Sequence, residues 1–292
     1  MLRSVRDHAT GVRANAIWAL GRIGDGRAAA PAADALTDQS PMVRRAAAGT
    51  LGQLDSASAV PQLLRVLAHD PVADVRRTAA WALGQLGAGE AVSGLAAALE
   101  HDQDASVREM SAWALGNLDE HHAAASALTT AAERDQSETV RETAAWALGQ
   151  EGEESAAPTL GRLLTGDQSV EVRRTAAWAL GQLDLDKAPA GLISALKSSD
   201  AELRLRAAWA LSQIGDPSAI PAVEAALEGE QNSDARKAEI RALVHSGADS
   251  DQLSGLLQSK DPEVRKAAVR GLAGMDGVDP WPWPEPRPRP FP

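Results

Sequence analysis

A block of about 32 residues recurs along almost the whole chain, and a period of that length leaves few folds open. Aligned on its Val-Arg pair, the block returns at Arg13, Arg44, Arg76, Arg108, Arg141, Arg173, Arg204, Arg236 and Arg265, at intervals of 31, 32, 32, 33, 32, 31, 32 and 29 residues. Each copy divides into two apolar runs. In the third, Val60, Leu63, Leu64 and Leu67 fall between Ser58 and Ala68, and Val75, Ala79, Leu83 and Leu86 between Val72 and Leu86. Both runs have the i, i+3, i+4, i+7 spacing of an amphipathic helix. Helix breakers stand between copies, among them Gly87 to Gly89, Gly215 to Pro217 and Asp261 with Pro262, and no strand pattern competes. The expectation is an all-α solenoid, a superhelix of about nine helix pairs over residues 1–277, each pair packing on its neighbours. The first pair lacks its first helix, which would leave an apolar face for an N-terminal cap or partner. Residues 278–292 read VDPWPWPEPRPRPFP, where alternating prolines forbid helix and favour an extended polyproline rod.

Composition narrows the function classes. A formal net charge of -11 disfavours nucleic acid and anionic membranes, both of which need clustered cations. Only five of the 29 Lys and Arg residues are lysines, and an acid-rich, Lys-poor surface is halophile-like. With no cysteine there are no disulfides, thiolate metal sites or Cys nucleophiles. The opening residues carry no apolar leader and no stretch approaches the ~20 apolar residues of a membrane span, so the expected location is cytoplasmic.

The blocks DPVADVRRTAAWALGQLG, DQSVEVRRTAAWALGQLD and DPSAIPAVEAALEG resemble HEAT-like repeats of the type found in the E/F-type bilin lyases of phycobilisome assembly, over Val12 to Met275. The resemblance implies HEAT-like helix pairs whose second helices line a concave face. It says little about function, because this repeat type serves many unrelated proteins.

Six of the eight tryptophans, Trp18, Trp81, Trp113, Trp146, Trp178 and Trp209, stand five residues after their repeat's anchor Arg. At about 100° per residue, Trp81 falls near 240° from Val75, away from its own helix pair. The resemblance then places the indoles in a row along the concave face, beside Arg45, Arg77, Arg174, Gln85 and Gln182, with Glu109 and Glu142 in the middle repeats. Two readings stand. Exposed Trp with Arg is the pairing enriched at binding hot spots, which gives a non-catalytic scaffold holding a protein or peptide. In the plainer reading each indole lies flat across the neighbouring repeat. The tail invites a parallel pair of readings: Asp279 to Pro292, with Trp281 and Trp283, docks on Trp178 and Trp209 or on a second copy, or it is solvated. The anchor arginines read as a structural ladder to inter-helix acids such as Asp70 or Asp102.

No catalytic constellation emerges, and no enzyme or cofactor is expected. His8, His69, His101, His121, His122 and His245 form no metal spacing, and the His-Glu pairs of the HEAT-like deoxyhypusine hydroxylases are missing. Gly-rich phosphate loops and a G-x-S-x-G elbow are absent too. HEAT-like DNA glycosylases also use Trp and Arg on a concave face, but the acidic balance and Glu109 and Glu142 oppose that class. The rival to the scaffold is a tetrapyrrole (bilin) lyase- or chaperone-like protein in which the Trp row stacks on a flat ligand.

Overall fold

The computed structural model describes residues 1–118, 121–248, 250–260 and 262–273. Among them are 17 α-helices and no strand. After a 3-10 turn at Leu2–Arg6, the odd-numbered helices carry the anchor arginines: α1 (Thr10–Ile23), α3 (Pro41–Gln53), α5 (Ala73–Gln85), α7 (Ala105–Leu115), α9 (Glu138–Glu151), α11 (Val170–Gln182), α13 (Ala201–Ile214), α15 (Ser233–His245) and α17 (Pro262–Leu272). Between them lie the first helices of each pair: α2 (Ala29–Ala35), α4 (Val60–His69), α6 (Val92–His101), α8 (His121–Arg134), α10 (Ala157–Gly166), α12 (Ala190–Ala195), α14 (Ile220–Gly229) and α16 (Ser250–Leu256). The fold class is the expected all-α solenoid. His121 and His122 stand at the start of α8.

The chain forms two compact units, Met1–Ala147 and one beginning at Leu148, with the boundary inside α9. In the first unit α1, α3, α5 and α7 stack in sequence, α4, α6 and α8 form a second layer, and α2, α4 and α6 each pack on the helix that follows. In the second unit α11, α13, α15 and α17 stack in sequence, and α10, α12, α14 and α16 each pack on their following helix. Local chemistry sets the ends. Pro61, Pro158 and Pro221 lie in the first turns of α4, α10 and α14, where their missing N–H is no loss. Gly24 and Gly215 stop α1 and α13 with φ of 73 and 67, which a residue without Cβ adopts freely.

The anchor arginines form the ladder read from the sequence. Arg13, Arg44, Arg76 and Arg108 reach Asp38, Asp70, Asp102 and Asp135 in the next repeat at 2.8, 2.6, 2.7 and 2.7 Å. In the second unit Arg204 reaches Glu230 at 2.6 Å. Each pair is bidentate, as with Arg76 Nε and Nη2 on the two oxygens of Asp102, while Arg76 Nη1 donates to the Asp70 carbonyl at 2.8 Å. The acids do a second job: Asp70 and Asp102 accept from Val72 N and Asp104 N at 2.9 Å each. One carboxylate thus joins the previous repeat to the turn that starts its own second helix. Charge-assisted, bidentate and half-buried bonds are the strong kind, so the ladder fixes the rise from repeat to repeat.

Candidate functional site

The Trp row is a second ladder, and it is largely buried. A β-carbon on Gly52, Gly84 or Gly116 would come within 2.9, 3.1 and 3.0 Å of Cζ3 of Trp81, Trp113 and Trp146, and within 2.9 Å or less of the following Ala backbone. In the second unit Gly149 and Gly181 meet Trp178 and Trp209 in the same way, at 3.0 and 2.6 Å. Each indole therefore lies across a glycine of the preceding repeat, where two helix backbones approach too closely for any side chain. Trp81, Trp146, Trp178 and Trp209 are only 8, 6, 2 and 6% exposed, and Trp113 is half-buried. The open aromatic row expected from the helical angle is corrected at these positions. A side chain that points away from its own helix pair here points into the preceding pair, not into water.

Trp18 departs from this pattern. It is 53% exposed, with the Arg22 guanidinium 5.9 Å from its ring centroid. The second repeat departs too, because the Trp-Ala of the sister repeats is replaced by Gly49-Thr50. Where an indole would lie over Gly21, Thr50 Oγ1 and Gln53 Oε1 occupy the space, each 2.8 Å from where a β-carbon on that glycine would be. Thr50 Oγ1 donates to the Ile17 carbonyl at 3.1 Å, whereas Gln53 Oε1 is buried without a hydrogen-bond partner. These two side chains do not replace the indole's bulk. A cavity of about 380 Å³ remains between α1 and α3, lined by Ala14, Asn15, Trp18, Met42, Arg45, Ala46, Gly49, Thr50 and Gln53. Met42 is 54% exposed at its edge. Trp18 and Met42 thus give it an aromatic and a flexible apolar wall, Arg45 one cation, and Gln53 an unused acceptor.

The other residues singled out by sequence separate into different roles. Arg45 is exposed and lines this cavity. Arg77 pairs with Asp74 at 3.3 Å. Arg174 is not a groove cation: its Nε and Nη2 lie 2.9 and 2.5 Å from the Asp200 carboxylate, so it takes the ladder role in its repeat. Gln85 and Gln182 are exposed on their helix ends. Trp281 and Trp283 lie outside the described residues, and Trp178 and Trp209, the tail's expected seats, are buried against the preceding repeats.

A larger, shallower cavity of about 620 Å³ lies between α4 and α6, with Leu64, His69 and His101 in its wall. No group of three or more His, Cys, Asp or Glu side chains that would hold a metal occurs among the described residues, and no described helix is long and apolar enough to cross a membrane. Two carboxyls passed over in the sequence are buried without hydrogen-bond partners, those of Glu151 and Glu239. Burial first, then the charges of Glu153 and Glu230 respectively, pushes each up to about 8. Glu239 stands three residues after its anchor, where Ala16, Ala47, Ala79, Ala144, Ala176 and Ala207 stand in sister repeats.

Comparison with known proteins agrees with this architecture. The model of HEAT repeats matches residues 2–84, 61–149, 92–174, 125–199 and 157–244, and the chain belongs to the HEAT-repeat family. No curated protein matches it by sequence. Among solved structures, YibA of Escherichia coli superposes with a TM-score of 0.60 at 20% identity, covering 82% of this chain and 90% of that one. Kap121p does so with a TM-score of 0.56 at 15% identity, over 93% of this chain and 36% of that one. The complex of CpcE and CpcF of phycocyanin lyase from Nostoc sp. is 23% identical over 94% of this chain and 92% of that one, with a TM-score of 0.39. The likenesses to YibA and Kap121p bear on the fold alone.

Proposed function

Starting from a HEAT-repeat solenoid, we propose that this protein is a non-catalytic scaffold that holds a segment of another protein chain, with the cavity between α1 and α3 as its recognition point. The observation that carries the reading is the break in the Trp row at the second repeat, the one repeat among the first seven without an indole at that position. Where sister repeats close with an indole, Gly49 leaves room beside the exposed Trp18, Met42 and Arg45. At about 380 Å³ the space is at the small end of ligand sites, which run from ~300 Å³ upward, and suits one aromatic or large apolar side chain. Trp and Met are the side chains that anchor such contacts, and the surrounding repeats supply a rigid frame.

The test restores the missing rung. Gly49→Trp with Thr50→Ala gives the second repeat its sisters' Trp-Ala and fills the cavity from within. Peptides selected from a random library on the full chain should lose at least about tenfold in affinity for this variant, with helicity unchanged. Peptides that bind both proteins equally would sink the reading.

A further inference from the structure

We infer that the face of α1 turned away from α3 receives α17 of a second copy of the same chain, so that copies join end to end through one more junction of the repeat type. This contact lies outside the cavity between α1 and α3 and shares only Trp18 with it.

The two end helices expose what interior repeats bury. One residue before the anchor, Val43, Val75, Val107, Val140 and Val172 are buried, yet Val12 is 43% exposed. Ile23 is 64% exposed where Leu118 and Leu183 are buried, and Trp18 is the indole that in sister repeats lies on the repeat before it. On α17 the open positions are others. Four and seven residues after the anchor, Ala80 with Leu83 and Ala208 with Leu211 have no exposed surface, whereas Val269 and Leu272 are 55 and 37% exposed. Among the described residues, every exposed large apolar side chain but Met42 lies in residues 1–23 or on α17. Repeat arrays need polar capping faces for solubility, and neither end has one.

The arginine ladder is open at the same two places, with complementary ends. Asp7 stands six residues before Arg13, as Asp70 does before Arg76, and its turn has the ladder form: Ala9 N donates to Asp7 Oδ1 at 2.8 Å, and Arg13 Nη1 to the Asp7 carbonyl at 3.0 Å. Sister acids Asp38, Asp70, Asp102 and Asp135 each receive the arginine of the preceding repeat. The Asp7 carboxylate is exposed and pairs with no described arginine. Arg265 is the converse. Its Nη1 donates to the Ser259 and Lys260 carbonyls at 2.7 and 3.0 Å, and no described acid meets its Nε or Nη2. Seating α17 on α1 in the register of the array brings Arg265 to Asp7 and lays Trp18 over Ala273, the eighth residue after its anchor, where Gly84 and Gly181 lie under their indoles.

This junction is weaker than an internal one for two reasons. Ala273 keeps a β-carbon where glycine lets the backbones close. Like charge also accumulates, since residues 1–23 hold four arginines and one acid, and residues 260–272 four cations and two acids. Each copy offers one face of either kind, so the contact is heterologous and the assembly grows with concentration.

Sedimentation velocity of the full chain over a concentration series, in about 0.3 M NaCl to screen the like charges, tests this. The wild type should form species that go on growing past the dimer. Asp7→Arg and Arg265→Asp should each weaken self-association at least about tenfold. A chain carrying both changes should associate like the wild type, because its exchanged ends match again. Ala273→Gly should tighten association at least about fivefold. A wild type that stays monomeric overturns the inference, and so does a double variant that stays apart. Association lost in Asp7→Arg but kept in Arg265→Asp would mean that two α1 faces pair in a closed dimer, which overturns it as well. Asp7 and Arg265 do not line the cavity, so peptide affinity for Gly49→Trp with Thr50→Ala judges the cavity separately, and Arg265→Asp leaves Trp18 uncovered for measurements on the single chain.

Discussion

Replacing Glu239 by Gln should make the second unit more stable at neutral pH and flatten its response to pH. Glu239 has no exposed surface, neither carboxyl oxygen has a hydrogen-bond partner, and its pKa is pushed up to about 8 by burial and by Glu230, against Arg204 and Arg236. In the unfolded chain an ordinary Glu titrates near 4.3. The folded state therefore binds this proton more tightly, so its contribution is whole below the unfolded pKa and is lost as pH rises through the folded one. At 1.36 kcal/mol per unit, the loss reaches about 3–4 kcal/mol by pH 7. Gln keeps the shape and cannot ionise, so the variant should match the wild type near pH 4.5 and exceed it by about 3 kcal/mol at pH 7. Glu230 works with the opposite sign. Its hydrogen bonds from Arg204 hold it below the usual carboxylate range, so its share is present above its unfolded pKa and lost as pH falls. The wild type should be most stable in mild acid. Because repeat arrays open locally, the assay is hydrogen exchange across α13, α15 and α17 at pH 5 and 7.5, corrected for intrinsic rates, beside urea midpoints. Parallel pH profiles for the wild type and Glu239→Gln would refute the reasoning.

Other substitutions separate the two ladders. Gly84→Ala puts a β-carbon 2.8 Å from Ala114 Cα and should lower stability by about 1–3 kcal/mol, read as a reduced denaturation midpoint. Gly161→Ala in α10, with nothing within 4 Å, should raise stability by ~0.5–1 kcal/mol. Trp178→Ala should cost about 3–5 kcal/mol, whereas Trp18→Ala, at a ring 53% exposed, should leave the midpoint nearly unchanged while weakening peptide binding. Asp102→Asn leaves the Arg76 guanidinium, whose side chain is 15% exposed, without its anion. It should cost about 2–4 kcal/mol, seen as faster exchange at the start of α7.

The period of the Val-Arg block made the solenoid legible, because stacked helix pairs are what such a period builds, and the anchor arginines found their acids where the inter-helix turns place them. The Trp row was legible as a row but not as a surface. A helical angle of 240° reports only which way a residue leaves its own helix, and in an array that direction leads to the neighbour. The missing signal was nearby: a glycine follows five of the six tryptophans by three positions, as Gly84 follows Trp81, and Ser212 stands there after Trp209; a recurring glycine inside a helix marks close backbone approach. Compared against that motif, the Gly49-Thr50 of the second repeat marks the break. Its consequence, a cavity beside an exposed Trp18, depends on how Met42, Arg45 and Gln53 settle around the gap, which packing decides. Arg174 shows the same limit from the other side, since either of two adjacent arginines satisfies the repeat and only the geometry selects the one that reaches Asp200.

The central claim is that five indoles hold the array together while Trp18, beside the gap at Gly49, stands open to a partner. Indole N–H signals, assigned by single Trp→Phe substitutions and read by NMR with and without a soluble nitroxide, test this directly. The account predicts strong relaxation of Trp18, protection of Trp81, Trp146, Trp178 and Trp209, and a new protected indole in Gly49→Trp with Thr50→Ala. Equal relaxation of Trp18 and those four would mean an open aromatic row, and the claim would be wrong.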